Sequence, residues 1–127
     1  FELRLCSPEN FGADINIIKK AKDEGANIVD NILPKDAAKD SNCIVTDTWF
    51  SMGDKEDNAK RKILENYQVT SELINLAKDE SIFLHCLPAH RGEEVTEEVI
   101  DGDKSFVWDE AENRVHAQKG IIDWCFS

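Results

Sequence analysis

The stretch Ser81-Ile82-Phe83-Leu84-His85-Cys86-Leu87-Pro88-Ala89-His90-Arg91-Gly92 constrains the fold more than any other part of the sequence. Its first half is a short apolar run between polar residues, the pattern of a strand buried on both faces. Pro88 and Gly92 then break that pattern and leave His85, Cys86, His90 and Arg91 in the loop that follows. Strands buried on both faces belong to open parallel sheets, where chemistry gathers just past the carboxyl ends of the strands. A thiol, two imidazoles and a guanidinium at that point make the loop a candidate site. The plainer alternative is a core strand followed by a charged turn.

The rest of the chain repeats the theme. Residues 2–6, 27–30, 43–47 and 105–108 read as further strands, the first ended by Ser7-Pro8. A helix is expected over 11–24, with Phe11, Ile15 and Ile18 on one face and Gly25 as its stop. Others are expected over about 56–65, after a Thr70 cap with Leu73, Ile74 and Ala77 apolar, and over 96–100. A last one, about 110–124, has Val115, Ile121, Ile122 and Trp124 for packing. Pro34 to Ser41 reads as a polar connection. Strands alternating with helices define the α/β class: a doubly wound, mostly parallel sheet flanked by helices. No repeat, low-complexity segment or linker divides the chain.

Size and charge set the outer limits. The 127 residues suffice for one domain with a real core and are too few for two. Lys and Arg total 15 against 26 Asp and Glu, a formal charge of -11, which argues against nucleic acid or an anionic membrane as partner. The apolar runs are too short for a membrane helix, and no charged-then-apolar leader opens the chain. Cys6, Cys43, Cys86 and Cys125 are widely spaced with no C-x-x-C pair, so all four are expected reduced, in a cytoplasmic protein. Three of them sit in apolar runs and are expected buried, as small hydrophobes.

Three places carry candidate chemistry, and each follows a strand. Asp47, with Ser51, Met52 and Gly53 just beyond it, offers a carboxylate for an ammonium and a glycine loop whose N–H groups suit a carboxylate. That pairing fits an amino acid's zwitterionic head; the plain reading is an Asx turn in a solvated loop. The loop from His85 to Arg91 is the second place. The third is Asp109-Glu110-Ala111-Glu112-Asn113-Arg114, where acids open a helix and Arg114 either pairs with a neighbouring Glu or reaches a phosphate. There is no Walker loop, no G-x-G-x-x-G and no metal-ligand spacing. Zinc held by Cys86 with His85 or His90 is disfavoured by the intervening Pro88, so neither metal nor cofactor is expected.

The run from His85 to Val95, with Asp47-x-Trp49-x-Ser51-Met52-Gly53 and the Asp109–Arg114 motif, resembles the aspartate/ornithine carbamoyltransferase family. The motifs occur in the family's order across nearly the whole chain, and the Ser51-Met52-Gly53 loop is similar to that of the ornithine enzymes. The resemblance implies transfer of a carbamoyl group from carbamoyl phosphate to the δ-amino group of L-ornithine, giving citrulline and phosphate. It implies that Asp47 and Ser51 hold the α-amino group and the Met52 backbone the carboxylate. Cys86 then sits beside the δ-amino nitrogen, the carbonyls of Cys86 and Leu87 orient the carbamoyl NH2, and Arg114 reaches carbamoyl phosphate. The family's S-T-R-T and H-P-x-Q phosphate motifs and its G-D-x-x-N segment are absent from these residues. Residues 1–127 are therefore expected to be a truncated L-ornithine-binding domain, inactive alone, with carbamoyl phosphate bound weakly or not at all. The family's first strand would lie between residues 2–6 and 43–47, so a gap is expected there, and with it a homo-oligomer. A non-catalytic binding or assembly module of the same fold is the alternative.

Overall fold

The computed structural model describes residues 1–50, 53 and 57–127. Four short strands and six α-helices are described, in the order β1 (Glu2–Arg4), α1 (Ile15–Asp23), β2 (Asn27–Val29), α2 (Pro34–Ala38), β3 (Cys43–Thr46), α3 (Asn58–Leu64), α4 (Ser71–Ile74), β4 (Ile82–His85), α5 (Glu97–Ile100) and α6 (Val107–Phe126). A 3-10 turn, Glu65–Tyr67, continues α3. All strand pairing among the described residues is parallel, in keeping with the α/β reading. β1 lies beside β2 with Leu3 opposite Ile28, and β3 beside β4 with Ile44 opposite Phe83 and Thr46 opposite His85. The two pairs are separate sheets, because β1 and β3 share no ladder. A cavity of about 140 Å³ lies beside β3, lined by Cys6, Ala37, Cys43, Ile44, Val45 and Leu73.

Local chemistry explains most boundaries. Asp14 caps α1 by accepting from Asn16 N at 2.7 Å, so the helix begins at Ile15 and leaves Phe11 in the preceding loop. Of the expected face only Ile18 is buried; Phe11 and Ile15 are exposed. Pro34 at the first position starts α2 where a polar connection was expected, since its missing N–H costs nothing there. The Thr70 hydroxyl accepts from Leu73 N and caps α4 as the sequence indicates. At the end of α5, a side chain in place of Gly102 would collide with the Glu98 carbonyl.

The expected strand at 105–108 does not form. Only an isolated bridge joins Ser105 to Phe83, and α6 begins at Val107. Acids in the first turn favour an early helix start, and Glu110 anchors that turn by accepting from His85 N at 2.9 Å. The core gathers on β4 and what surrounds it: Val69, Ile74, Phe83, Val95, Val99, Ile100 and Val107. Along β4, Phe83 and His85 are buried while Ile82 and Leu84 are half-buried, so only one face of this strand is fully covered. Beyond its first turn α6 leaves the body. Val115, Ile121, Ile122 and Trp124, expected to pack, are all exposed. None of the four cysteines is buried: Cys6 is half-exposed and Cys43, Cys86 and Cys125 are exposed, all as free thiols. Strands this short cover one face at most; Cys43 opens β3 and Cys86 lies just past the end of β4.

Candidate functional site

Because β3 and β4 are neighbours running the same way, the loops that follow them rise side by side over the carboxyl end of the sheet. Three side-chain pairs stitch these loops together. The Cys86 thiol donates to Asp47 Oδ1 at 3.1 Å. Thr48 Oγ1 and His90 Nδ1 lie 3.0 Å apart. Arg61, on α3 beyond the first loop, reaches Glu93 Oε1 at 2.7 Å. Asp47 Oδ1 also accepts from Thr48 N at 2.7 Å, while Oδ2 receives no hydrogen bond among the described residues. The S–H···carboxylate contact holds the Cys86 thiol above its ordinary pKa, with burial and the Asp47 charge adding to the effect. Cys86 is therefore a protonated donor here, not an activated nucleophile.

Beneath the loops lies a buried dyad. His85 and Glu94 are both fully buried, with His85 Nε2 at 3.2 Å from Glu94 Oε1. Leu87 N donates to His85 Nδ1 at 2.9 Å, which leaves the ring proton on Nε2, directed at Glu94. Glu94 Oε1 also accepts from His90 N at 2.6 Å. Leu87 adopts a left-handed backbone, φ 51°, which costs an L-residue about 1–2 kcal/mol. Its N–H contact to His85 helps hold that conformation, and thereby the direction of the Cys86 and Leu87 carbonyls. The Leu87–Pro88 peptide is cis.

A cleft of about 370 Å³ opens beside Asp47, lined by Cys6, Thr46, Thr48, Trp49, Lys60 and Tyr67 among others. The Lys60 ammonium sits 4.8 Å from the centre of the Phe50 ring, a cation–π contact at the cleft's edge. This cleft is lined by the Asp47 carboxylate, whose partner is the Cys86 thiol, whereas no charged side chain lines the cavity beside β3.

The structure thus brings Asp47, Cys86 and Leu87 together. Ser51 and Met52 lie outside the described residues. Arg114 is exposed on α6, four residues after Glu110 and so on the helix face whose carboxylate reaches β4. It makes no ion pair or hydrogen bond among the described residues, so the expected pairing with a nearby Glu is not seen. Glu94 and Thr48 were given no role from the sequence, and Glu110 only that of an acid opening a helix; the fold alone supplies their partners. His90, Glu93 and Glu94 bring ligand-type atoms within 4.8 Å of one another. Arg61 pairs with Glu93 Oε1, Thr48 with His90 Nδ1, and both donors to Glu94 fall on Oε1, while the buried Oε2 accepts no hydrogen bond among the described residues.

Comparison with known proteins places the chain in a family. The family model described as aspartate/ornithine carbamoyltransferase, Asp/Orn binding domain, matches residues 1–125. The ornithine carbamoyltransferase of Rhodopseudomonas palustris (strain BisA53) is 51% identical over 126 residues, 99% of this chain and 40% of that protein. That of Bradyrhizobium diazoefficiens is also 51% identical over 126 residues, covering 99% of this chain and 41% of its own length. Among solved structures, ornithine carbamoyltransferase from Pyrococcus furiosus superposes with a TM-score of 0.86 at 44% identity, over 95% of this chain and 40% of that one. Ornithine transcarbamoylase from Giardia lamblia gives a TM-score of 0.88 at 31% identity, over 98% and 41%. The chain spans about 40% of the length of the curated relatives it matches.

Proposed function

Because the chain belongs to the aspartate/ornithine carbamoyltransferase family, matching its Asp/Orn-binding domain, we propose that residues 1–127 are the L-ornithine-binding part of a carbamoyltransferase. The whole enzyme moves the carbamoyl group of carbamoyl phosphate to the δ-amino group of L-ornithine. The observation that carries this reading is the 3.1 Å contact between Cys86 Sγ and Asp47 Oδ1. It joins the carboxylate of one loop, which lines the cleft, to the thiol of the next.

Asp47 offers Oδ2 to the α-ammonium, with Oδ1 committed to Thr48 and Cys86. Ser51 and the Met52 backbone take the rest of the amino-acid head. The δ-ammonium loses a proton beside Cys86, whose S–H acts as a polar neighbour. The free amine then attacks the carbamoyl carbon. The carbon–oxygen bond to phosphate breaks, phosphate leaves with the electron pair, and the nitrogen gives its extra proton to the departing phosphate. Nothing in this sequence of steps needs a covalent enzyme intermediate or a cofactor; positioning and charge stabilisation carry it. The carbonyls of Cys86 and Leu87, aimed by the His85–Glu94 dyad, receive the carbamoyl NH2. Arg114 supplies one cation to the phosphate, and further phosphate ligands come from outside these residues. A role in arginine metabolism, a cytoplasmic location and homo-oligomerisation belong to the same proposal. The exposed apolar residues of α6 support the last, and light scattering of the purified chain at micromolar concentration tests it.

Calorimetric titration with L-ornithine and L-aspartate tests the substrate class. Ornithine is expected to bind, aspartate not, and Asp47→Ala is expected to abolish measurable ornithine binding. Equal affinity for the two amino acids, or unchanged binding by Asp47→Ala, would refute the proposal.

A further inference from the structure

We infer that His90 is a positioning residue for the amino-acid-binding loop and that it acts through Thr48; the inference rests on the ornithine reading above. Thr48 Oγ1 carries a single proton and lies 3.0 Å from the Phe50 carbonyl oxygen, which can only accept. The hydroxyl proton therefore points to Phe50. His90 Nδ1, 3.0 Å from the same oxygen, must be the donor in that contact. This fixes a proton on Nδ1, the opposite tautomer to buried His85. His90 is itself held from below, because its backbone N–H donates to fully buried Glu94 at 2.6 Å.

The result is a continuous line from the core to the cleft: Glu94 carboxylate, His90 backbone, imidazole, Thr48 hydroxyl, Phe50 carbonyl. Thr48 stands at its junction. Its backbone N–H fixes Asp47 Oδ1, and its side chain fixes the last peptide before Ser51. Holding Thr48 thus orients both the carboxylate offered to the α-ammonium and the Phe50 carbonyl. A histidine that merely filled space would be buried, whereas the His90 side chain is 50% exposed. Its ring is placed by the contact to Thr48 and its backbone by the contact to Glu94.

Two readouts on the full 127-residue chain test the latch. Nitrogen-15 NMR of the imidazoles is expected to show His90 in the Nδ1–H form, shifting towards Nε2–H in Thr48→Val. Ornithine titration is expected to show His90→Ala and Thr48→Val each weakening binding roughly fivefold, the worth of one net hydrogen bond. The double variant is expected to lose no more than either single one. His90→Asn, whose amide can donate from a similar place, and Thr48→Ser are expected to recover most of the loss. A wild-type Nε2–H ring, or His90→Ala binding ornithine as the wild type does, would overturn the inference. If the wild-type chain fails to bind ornithine, the substrate reading fails instead, and the tautomer measurement alone decides the latch.

Discussion

The two strand pairs of this molecule are built from similar material and end in different states. β1 with β2 and β3 with β4 are both short and parallel, each with branched apolar residues facing one another across the pair. Around β4 the fold closes a core, with Phe83, Val95 and Val107 wholly inaccessible. Around β1 and β2 it does not: Leu3 is 40% exposed, Val29 stays open, and α1 buries only Ile18. The difference lies in layers. β4 has α4, α5, the start of α6 and the 92–96 segment packed about it, while β1 and β2 have little beyond one helix. A strand becomes core when a second layer covers it, and its own sequence decides only whether it can.

Four measurements bear on that contrast, from the largest expected effect down. Phe83→Ala is expected to cost about 4 kcal/mol in urea unfolding, and Leu3→Ala about 1 kcal/mol or less. Equal losses would erase the distinction between the halves. Next, Glu94→Ala strands two buried donors, His85 Nε2–H and His90 N–H, and is expected to cost about 3 kcal/mol. Glu94→Gln keeps an acceptor there and is expected to cost about 1 kcal/mol. Its exposed counterpart Glu72, paired with Lys35 in solvent, is expected to cost under about 0.5 kcal/mol when replaced by Ala. A costly Glu72→Ala would show that the periphery is more tightly coupled than it looks.

Within α6 the same contrast recurs along one helix. Val107→Ala is expected to lose about 2 kcal/mol and Trp124→Ala no more than about 0.5 kcal/mol, read by thermal unfolding of dilute protein. A large loss at Trp124 would mean that the far end of the helix is covered in solution. The smallest effect is on reactivity. The Asp47 hydrogen bond keeps the Cys86 thiol protonated to higher pH, so Asp47→Asn lowers its pKa and raises the thiolate fraction at any pH below it. Alkylation of Cys86 at neutral pH is then expected to be faster in Asp47→Asn, followed by mass spectrometry. An unchanged rate would mean that the S–H···carboxylate contact does not govern the thiol.

What the sequence made legible follows the same division. The β4 strand, the loop from His85 to Gly92, Asp47 at a strand end and the Thr70 cap were all readable, because each is set by residues within a few positions. The helix start at Val107 was not, since it depends on Glu110 finding His85 across the fold. The burial of Glu94 was equally hidden: a glutamate beside Glu93 and Arg91 looks solvated until His85 and His90 close over it. The exposure of Cys43 and of the far half of α6 reflects missing second layers, which no local pattern encodes. Ser51 and Met52 were legible as part of a motif, and they fall outside the described residues.

One small contact gives the site an unusual temperament. Val69 N donates to Glu94 O at 2.8 Å and Thr96 N to Val69 O at 3.0 Å, while the Gln68 amide spans the carbonyls of Gly92 and Glu93. This strap crosses behind the thiol loop, and its Val69 and Val95 side chains are buried in the core. Ligand-binding loops are usually drawn from the least protected parts of a protein, opening long before the rest. Here the amides of Val69 and Thr96 should exchange with solvent only when the whole β4 half opens. The loop carrying Cys86 is accordingly a fixed jaw, fastened to the core of the β4 half.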